Sequence, residues 1–202
     1  MQRLDTFATP IWIDEFADLE NQLDGWLQRI RELRQQSAAD WPRRSTRGGW
    51  HSEPSLLDMP EFAPLRQRIL IAVKANLADY GAKPGSMVLN CHGWANVHDR
   101  GSHNITHVHE GCLLSGTVYL AVPQGAGDIV FTDPRPAALM ERFARTDDDK
   151  AGGAWRHKSF SFAPRKLQMV MFPSWLSHRV EPSDCDERIS IAFNIQQALM
   201  QA

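Results

Sequence analysis

A chain of 202 residues with 43% apolar side chains can bury one sizeable core. Its formal charge of −2, from 22 basic and 24 acidic residues, leaves no electrostatic footprint for nucleic acid or an anionic membrane. Met1 to Asp5 lack the apolar stretch of a signal peptide, no run approaches the roughly 18 apolar residues of a spanning helix, and Cys91, Cys112 and Cys185 are scattered and odd in number, which fits a reducing cytoplasm.

Residues 1–202 read as a single domain in two parts, 1–85 and 86–197. The first part opens with an extended segment over 4–16, where Phe7, Ile11 and Ile13 are apolar and Pro10 points to a sheet edge. A helix follows, with Leu19, Leu23, Trp26, Leu27, Ile30 and Leu33 on one face. Ser37 to Ser55 is a loop rich in Pro, Gly and Arg, and its Arg43, Arg44 and Arg47 read as solvated charges rather than a phosphate site. A second helix begins near Pro60, carries Phe62, Leu65, Ile69, Val73, Leu77 and Tyr80 as its stripe, and has Gly81 as its C-terminal cap. Neither helix carries a motif. Both are the scaffold for a sheet.

From Ser86 the pattern changes to eight short apolar or alternating runs: 86–98, 104–110, 113–122, 128–132, 157–162, 167–172, 177–181 and 187–196. Turn residues such as Asp99-Arg100-Gly101 and Pro182-Ser183-Asp184 separate them. Eight close-set strands predict a mainly β fold, a double-stranded β-helix or jelly roll, flanked by the N-terminal helices. Residues 133–156 are a Pro- and Asp-rich excursion with the makings of a lid over a barrel mouth.

Five of the eight histidines lie between His92 and His109. In the run 104–110, His107 and His109 are spaced to share one face of a strand, with Val108 and Glu110 on the other. Paired imidazoles suit a first-row transition metal. His178, after the turn Phe172-Pro173-Ser174-Trp175, is the candidate third ligand, if a rolled sheet returns it to the pair. Ten residues further on, Arg188 and Ser190 share a face, and a guanidinium beside a hydroxyl is a receptor for a carboxylate. Each feature has a plainer reading. Neighbouring histidines can line a wet barrel mouth, and Arg188 can pair with Asp184, Asp186 or Glu187 on a surface turn. Their joint occurrence favours the metal site and the receptor. His51, His92, His98, His103 and His157 read as surface or supporting residues.

These residues resemble the iron(II)- and 2-oxoglutarate-dependent oxygenase superfamily, with its HxD/E…H triad on a double-stranded β-helix and an RxS motif about ten residues beyond. The likeness is nearest to an uncharacterised bacterial group of such oxygenases. It is carried by Gly48-Gly49-Trp50-His51-Ser52, Trp94-Ala95-Asn96-Val97, Leu114-Ser115-Gly116-Thr117-Val118-Tyr119-Leu120, Ile129-Val130-Phe131-Thr132-Asp133-Pro134-Arg135 and Arg188-Ile189-Ser190-Ile191-Ala192-Phe193-Asn194, around the three histidines. The resemblance implies a role for each of these residues. His107, His109 and His178 would hold Fe(II), or another divalent transition metal. Arg188 and Ser190 would grip the far carboxylate of 2-oxoglutarate, and Tyr119, Asn96 and Asn104 would line the pocket, though hydrogen bonding within the sheet is an equal account of those three. The implied reaction is a hydroxylation of a small-molecule or peptide substrate, by a chain for which a homodimer is an open state. The chain departs from the pattern at His109, where the superfamily usually has a carboxylate, so the ligand set is all neutral.

Two rival readings stay open. A cupin would share the jelly roll, and Gly101 followed by His107-x-His109 follows its first motif, but Leu113 and Leu114 stand where that motif wants Glu. Its second motif is met by Pro173 and His178, yet Trp175 and Pro182 replace its glycine and asparagine. The other rival is a non-catalytic metal- or ligand-binding protein.

Overall fold

The computed structural model describes residues 6–37, 45–83, 85, 87–136, 140, 153–156 and 158–198. Strand β1 (Trp12–Glu15) leads through a 3-10 turn at Ala17–Gln22 into helix α1 (Leu23–Gln36). A short hairpin, β2 (Thr46–Arg47) and β3 (Trp50–His51), precedes helix α2 (Ala63–Asp79). Then come β4 (Leu89–His98), β5 (His103–His107), β6 (Leu114–Ala121), β7 (Ile129–Thr132), β8 (Gly153–Arg156), β9 (Ser159–Phe162), β10 (Gln168–Pro173), β11 (His178–Val180) and β12 (Arg188–Gln197). The strands form two six-stranded antiparallel sheets, ordered β1-β10-β6-β12-β4-β3 and β2-β5-β11-β7-β9-β8. This is the jelly-roll arrangement that the eight runs predict.

Period-two alternation gives the first sheet two different faces. Ile189, Ile191, Phe193 and Ile195 of β12 face out and join a buried cluster with Trp26 and Ile30 of α1 and Leu65, Ile69, Val73 and Leu77 of α2. The two helices therefore pack against the outer face of this sheet. Helix α2 stops where Gly81 takes φ +87°, its N–H bonding to the Ala78 carbonyl while the Ala82 N–H bonds to that of Leu77. That is the Schellman closure expected of a glycine just past a helix. The inner face of the sheet meets the second sheet around a smaller cluster of Tyr119, Ile129, Phe131, Phe162, Val170, Phe172 and Leu176.

The structure revises two local expectations. The run 104–110 is a strand only over His103–His107. Across β5 and β11, His178 pairs with His107 but Val180 pairs with Asn104, so two steps on one strand match three on the other. This is a β-bulge, which turns both Ile105 and Thr106 outward and lets Asn104 and His107 both face the interior. The end of the 133–156 excursion is strand β8, paired with β9 from Gly153↔Phe162 to Arg156↔Ser159. Gly153-Ala154-Trp155-Arg156 has a single large apolar residue, so no alternation announces it. Most of that excursion, with Arg43, Arg44 and His157, lies outside the described residues. Among the described residues no helix is long and apolar enough to cross a membrane.

Candidate metal centre

The register of β5 and β11 makes His107 and His178 direct cross-strand neighbours, with ring centres 4.3 Å apart. His109 lies two residues past the end of β5 rather than on a regular strand, so the face-sharing argument does not place it. Its position comes from the turn after β10, where the His109 N–H bonds to the Ser174 carbonyl at 3.0 Å. Its ring then sits 5.0 Å from that of His107 and 5.2 Å from that of His178. One ligand nitrogen from each imidazole lies within 4.8 Å of the others, so the trio can hold one iron ion.

The hydrogen bonds on the far sides of the rings decide which nitrogens are available. His107 Nδ1 is 2.7 Å from the Ile105 carbonyl and His178 Nδ1 is 2.9 Å from that of Leu176. A carbonyl only accepts, so both Nδ1 atoms carry the proton of the neutral ring and both Nε2 atoms keep a free lone pair. His109 Nδ1 faces the Asn194 side-chain amide at 3.2 Å. Burial lowers the pKa of all three, to about 4 for His109 and about 3 for His178, with the neighbouring His107 adding to the effect on both. Three imidazoles held neutral are what a transition metal requires of histidine ligands.

A second group of polar residues lies along the ladder between β4 and β12, in the same cavity. Arg188 is 1% exposed, and no carboxylate among the described residues pairs with it. Its Nη1 is 3.5 Å from Ser190 Oγ, its Nε has no partner, and its guanidinium lies 5.2 Å from the centre of the Tyr119 ring. The Tyr119 hydroxyl and Asn96 Oδ1 are buried without a hydrogen bond. Burial pushes the Tyr119 hydroxyl up to about 12, so it is a donor. Such orphaned groups cost about 1–3 kcal/mol each, and more for a charge. The Tyr119 and Ser190 hydroxyls beside an uncompensated guanidinium fit an anionic ligand, whereas Asn96 Oδ1 only accepts and would need a donor.

Arg188, Ser190, Tyr119, Asn96 and Asn104 all line the cavity that holds the three histidines. Asn104 has its amide nitrogen committed to Ser45 Oγ at 3.0 Å and Thr46 Oγ1 at 3.1 Å, so it fastens β2 over the cavity. The surface-turn account of Arg188 does not hold. Asp184 pairs with Arg100, and Glu187 pairs with Arg31.

Two residues escaped the sequence reading. His98, read only as a surface or supporting residue, is fully buried opposite Arg188, with both ring nitrogens unpartnered. Only the strand register brings it there, and a single sequence does not carry that. Asn194 touches His109, and here a signal did exist, because it continues the period-two face of Arg188 and Ser190.

Comparison with known proteins gives the site its context. A family profile described as "Putative 2OG-Fe(II) oxygenase" matches residues 92–194, just over half of the chain. No curated protein is similar to it in sequence. Among solved structures, a prolyl-4-hydroxylase of Pseudomonas putida superposes with a TM-score of 0.64 at 11% identity, covering 94% of each chain. HygX of Streptomyces hygroscopicus, with nickel and 2-oxoglutarate bound, gives 0.63 at 14% identity over 96% of this chain and 85% of that one. A Trichoplax adhaerens prolyl hydroxylase, in complex with a peptide fragment of hypoxia inducible factor, gives 0.60 at 14% identity over 92% and 83%. At these identities the superpositions establish the shared fold. The family match is what decides between the two jelly-roll readings, and the cupin falls away: the chain belongs to the 2OG-Fe(II) oxygenase family.

Proposed function

We propose that the chain is an iron(II)- and 2-oxoglutarate-dependent dioxygenase, a hydroxylase, whose metal is held by His107, His109 and His178. One observation carries this reading: a single cavity joins a cluster of three neutral imidazoles to a buried guanidinium with no carboxylate partner. The Arg188 fork matches the two oxygens of a carboxylate, and Ser190 and Tyr119 add hydroxyl donors beside it. A dianionic co-substrate would bring negative charge to both ends of a cavity whose own ligands bring none. When bound, the iron and 2-oxoglutarate supply the oxidation: O2 is consumed, the oxo acid becomes succinate and CO2, and one oxygen atom enters the substrate. The chain's own residues bind and orient. Arg188 fixes one end of the co-substrate, the carbonyls of Ile105 and Leu176 hold two imidazoles in the ligating tautomer, and the apolar groups Ile129 and Phe172 keep the interior dry.

Among the similar structures, one holds a peptide and another hygromycin B, so a peptide or a small molecule is the substrate class we assign. The three unpaired cysteines support a reducing, cytoplasmic setting. The His109 substitution favours one competing account, a family member that binds metal without turnover. Titration of Mn(II)-loaded protein with 2-oxoglutarate under nitrogen needs no substrate. Binding that His178→Ala abolishes, followed by iron-dependent succinate release in air, supports the dioxygenase. Metal binding with no affinity for 2-oxoglutarate would establish the non-catalytic alternative instead.

A further inference from the structure

His107 and His178 are oriented by carbonyls that can only accept a hydrogen bond, whereas His109 is oriented by an amide that can donate or accept one. The Asn194 amide stands between two partners: one end is 3.2 Å from His109 Nδ1 and the other 2.7 Å from Ser115 Oγ. In the arrangement the structure holds, the Ser115 hydroxyl donates to Asn194 Oδ1 and the amide nitrogen donates to His109 Nδ1. The neutral imidazole then carries its proton on Nε2, which leaves that nitrogen no lone pair for a metal. A half-turn of the amide reverses every polarity. Its nitrogen donates to Ser115 Oγ, its oxygen accepts from His109 Nδ1–H, and Nε2 is free. A serine hydroxyl both donates and accepts, so the two arrangements satisfy the same groups with the same number of hydrogen bonds.

Neither alternative is open to the other two rings, since a backbone carbonyl cannot be turned over within its strand or turn. Asn194 is only half-buried, next to the exposed His92 across the ladder, so its amide is not locked by packing. Ser115, by contrast, is 1% exposed and fixed on β6.

We propose that Asn194, backed by Ser115, is a positioning residue for His109: its amide turns over so that its oxygen accepts a hydrogen bond from Nδ1–H when Nε2 takes a metal. His107 and His178 are then preset ligands and His109 a conditional one. This rests on the reading of the three histidines as a metal site, and the test separates the two.

The experiment titrates the full chain, without 2-oxoglutarate, with Zn(II) and Mn(II) by calorimetry, for the wild type, Asn194→Asp, Asn194→Ala and His107→Ala. A carboxylate can only accept, so Asn194→Asp presets His109 as the carbonyls preset its neighbours. Metal affinity should rise at least about twofold, the gain from presetting a tautomer that the wild type holds in about half of its molecules. Asn194→Ala removes the acceptor and should lower affinity about 10-fold or more, the usual effect of losing a group that orients a metal-bound histidine. Nitrogen-15 NMR of the imidazoles should show the His109 proton on Nδ1 in the Zn(II) form of the wild type and in metal-free Asn194→Asp. In the metal-free wild type it should lie on Nε2 for a substantial fraction of molecules.

Equal affinity of Asn194→Ala and wild type overturns the proposal, as does a fall in affinity for Asn194→Asp. So does a His109 proton that stays on one nitrogen whether or not metal is bound. Should Asn194→Ala fail to fold, the comparison of Asn194→Asp with wild type decides alone, and equality there overturns it. His107→Ala that binds metal as the wild type does would sink the metal-site reading itself, whatever the Asn194 variants do.

Discussion

The ladder between β4 and β12 has two ends that treat the same inward face in opposite ways. At one end the facing pairs are His98 with Arg188 and Asn96 with Ser190, all buried, and Arg188 Nε, Asn96 Oδ1 and both His98 nitrogens lack partners. At the other end the pairs are His92 with Asn194 and Asn90 with Gln196. There His92 and Asn90 are exposed, while Asn194 and Gln196 bond to His109, Ser115 and Cys112. A polar group left without water and without a partner destabilises the fold, so an orphaned set persists only where something outweighs that cost. On the proposed function, a bound anion would do so for the Arg188 guanidinium at the closed end. At the open end water already does, and the side chains there are free to meet a substrate.

The largest effect should come from removing the charge at the closed end. Arg188→Leu deletes a buried guanidinium that no protein carboxylate compensates, so its stability cost should be near zero or favourable. The same change leaves the co-substrate carboxylate without its partner, a loss of about 2–5 kcal/mol in binding, or on the order of 30- to 4,000-fold. Calorimetric affinity for 2-oxoglutarate in the Mn(II) form, beside thermal unfolding of the metal-free form, checks both. A variant that loses several degrees of melting temperature and no affinity would make Arg188 a structural residue and end the contrast.

The closed end is shut by backbone. A Cβ on Gly49, between β2 and β3, would lie 2.7 Å from His98 Cδ2 and 2.8 Å from the Val97 carbonyl. The imidazole could yield, but the carbonyl belongs to a central strand. Gly49→Ala should therefore cost about 1–3 kcal/mol by overpacking, read as a lower urea midpoint at unchanged slope. No such penalty would mean that the hairpin is a loose cover.

How much of this was legible in the sequence follows from whether the signal is local. Alternation within a strand is local, so β4, β6, β7, β10 and β12 fall close to their apolar runs, and Arg188 and Ser190 do share a face. Pairing between strands is not local. The bulge at Ile105 and Thr106, the burial of His98 and the contact of Asn194 with His109 all depend on register. His109 shows the difference most clearly. Its place beside His107 was expected from strand geometry, but the strand has ended, and a bond from its backbone to Ser174 supplies the convergence.

Acid should act on the closed end through His98. Burial, with Arg188 beside it, lowers its pKa to about 3. Above about pH 6.5 neither the folded nor the unfolded chain protonates this ring, and it adds no pH dependence. Below that the unfolded chain takes a proton that the fold refuses, so stability falls as pH drops, by up to about 1.4 kcal/mol per pH unit, until the folded value is reached. The three clustered histidines contribute in the same direction. His98→Asn should therefore make the loss of stability between pH 6.5 and 4.5 shallower by about one proton, as urea unfolding at several pH values would show. An unchanged slope would mean that His98 is solvated.

The smallest effect should come from the open end, and its smallness is informative. His92 is exposed and faces Asn194 across the ladder, with no hydrogen bond assigned to its ring among the described residues. His92→Ala should alter stability by less than about 0.5 kcal/mol, as surface substitutions do. It should leave the affinity for 2-oxoglutarate unchanged as well, because Asn96 and Ser190, then Trp94 and Ala192, separate it along the ladder from Arg188. Only a substrate-dependent measurement, such as the stimulation of succinate release by a candidate peptide or small molecule, should register the change. Should His92→Ala instead weaken 2-oxoglutarate binding as Arg188→Leu does, the co-substrate would have to reach the open end. The orphaned groups around Arg188 would then need a different ligand.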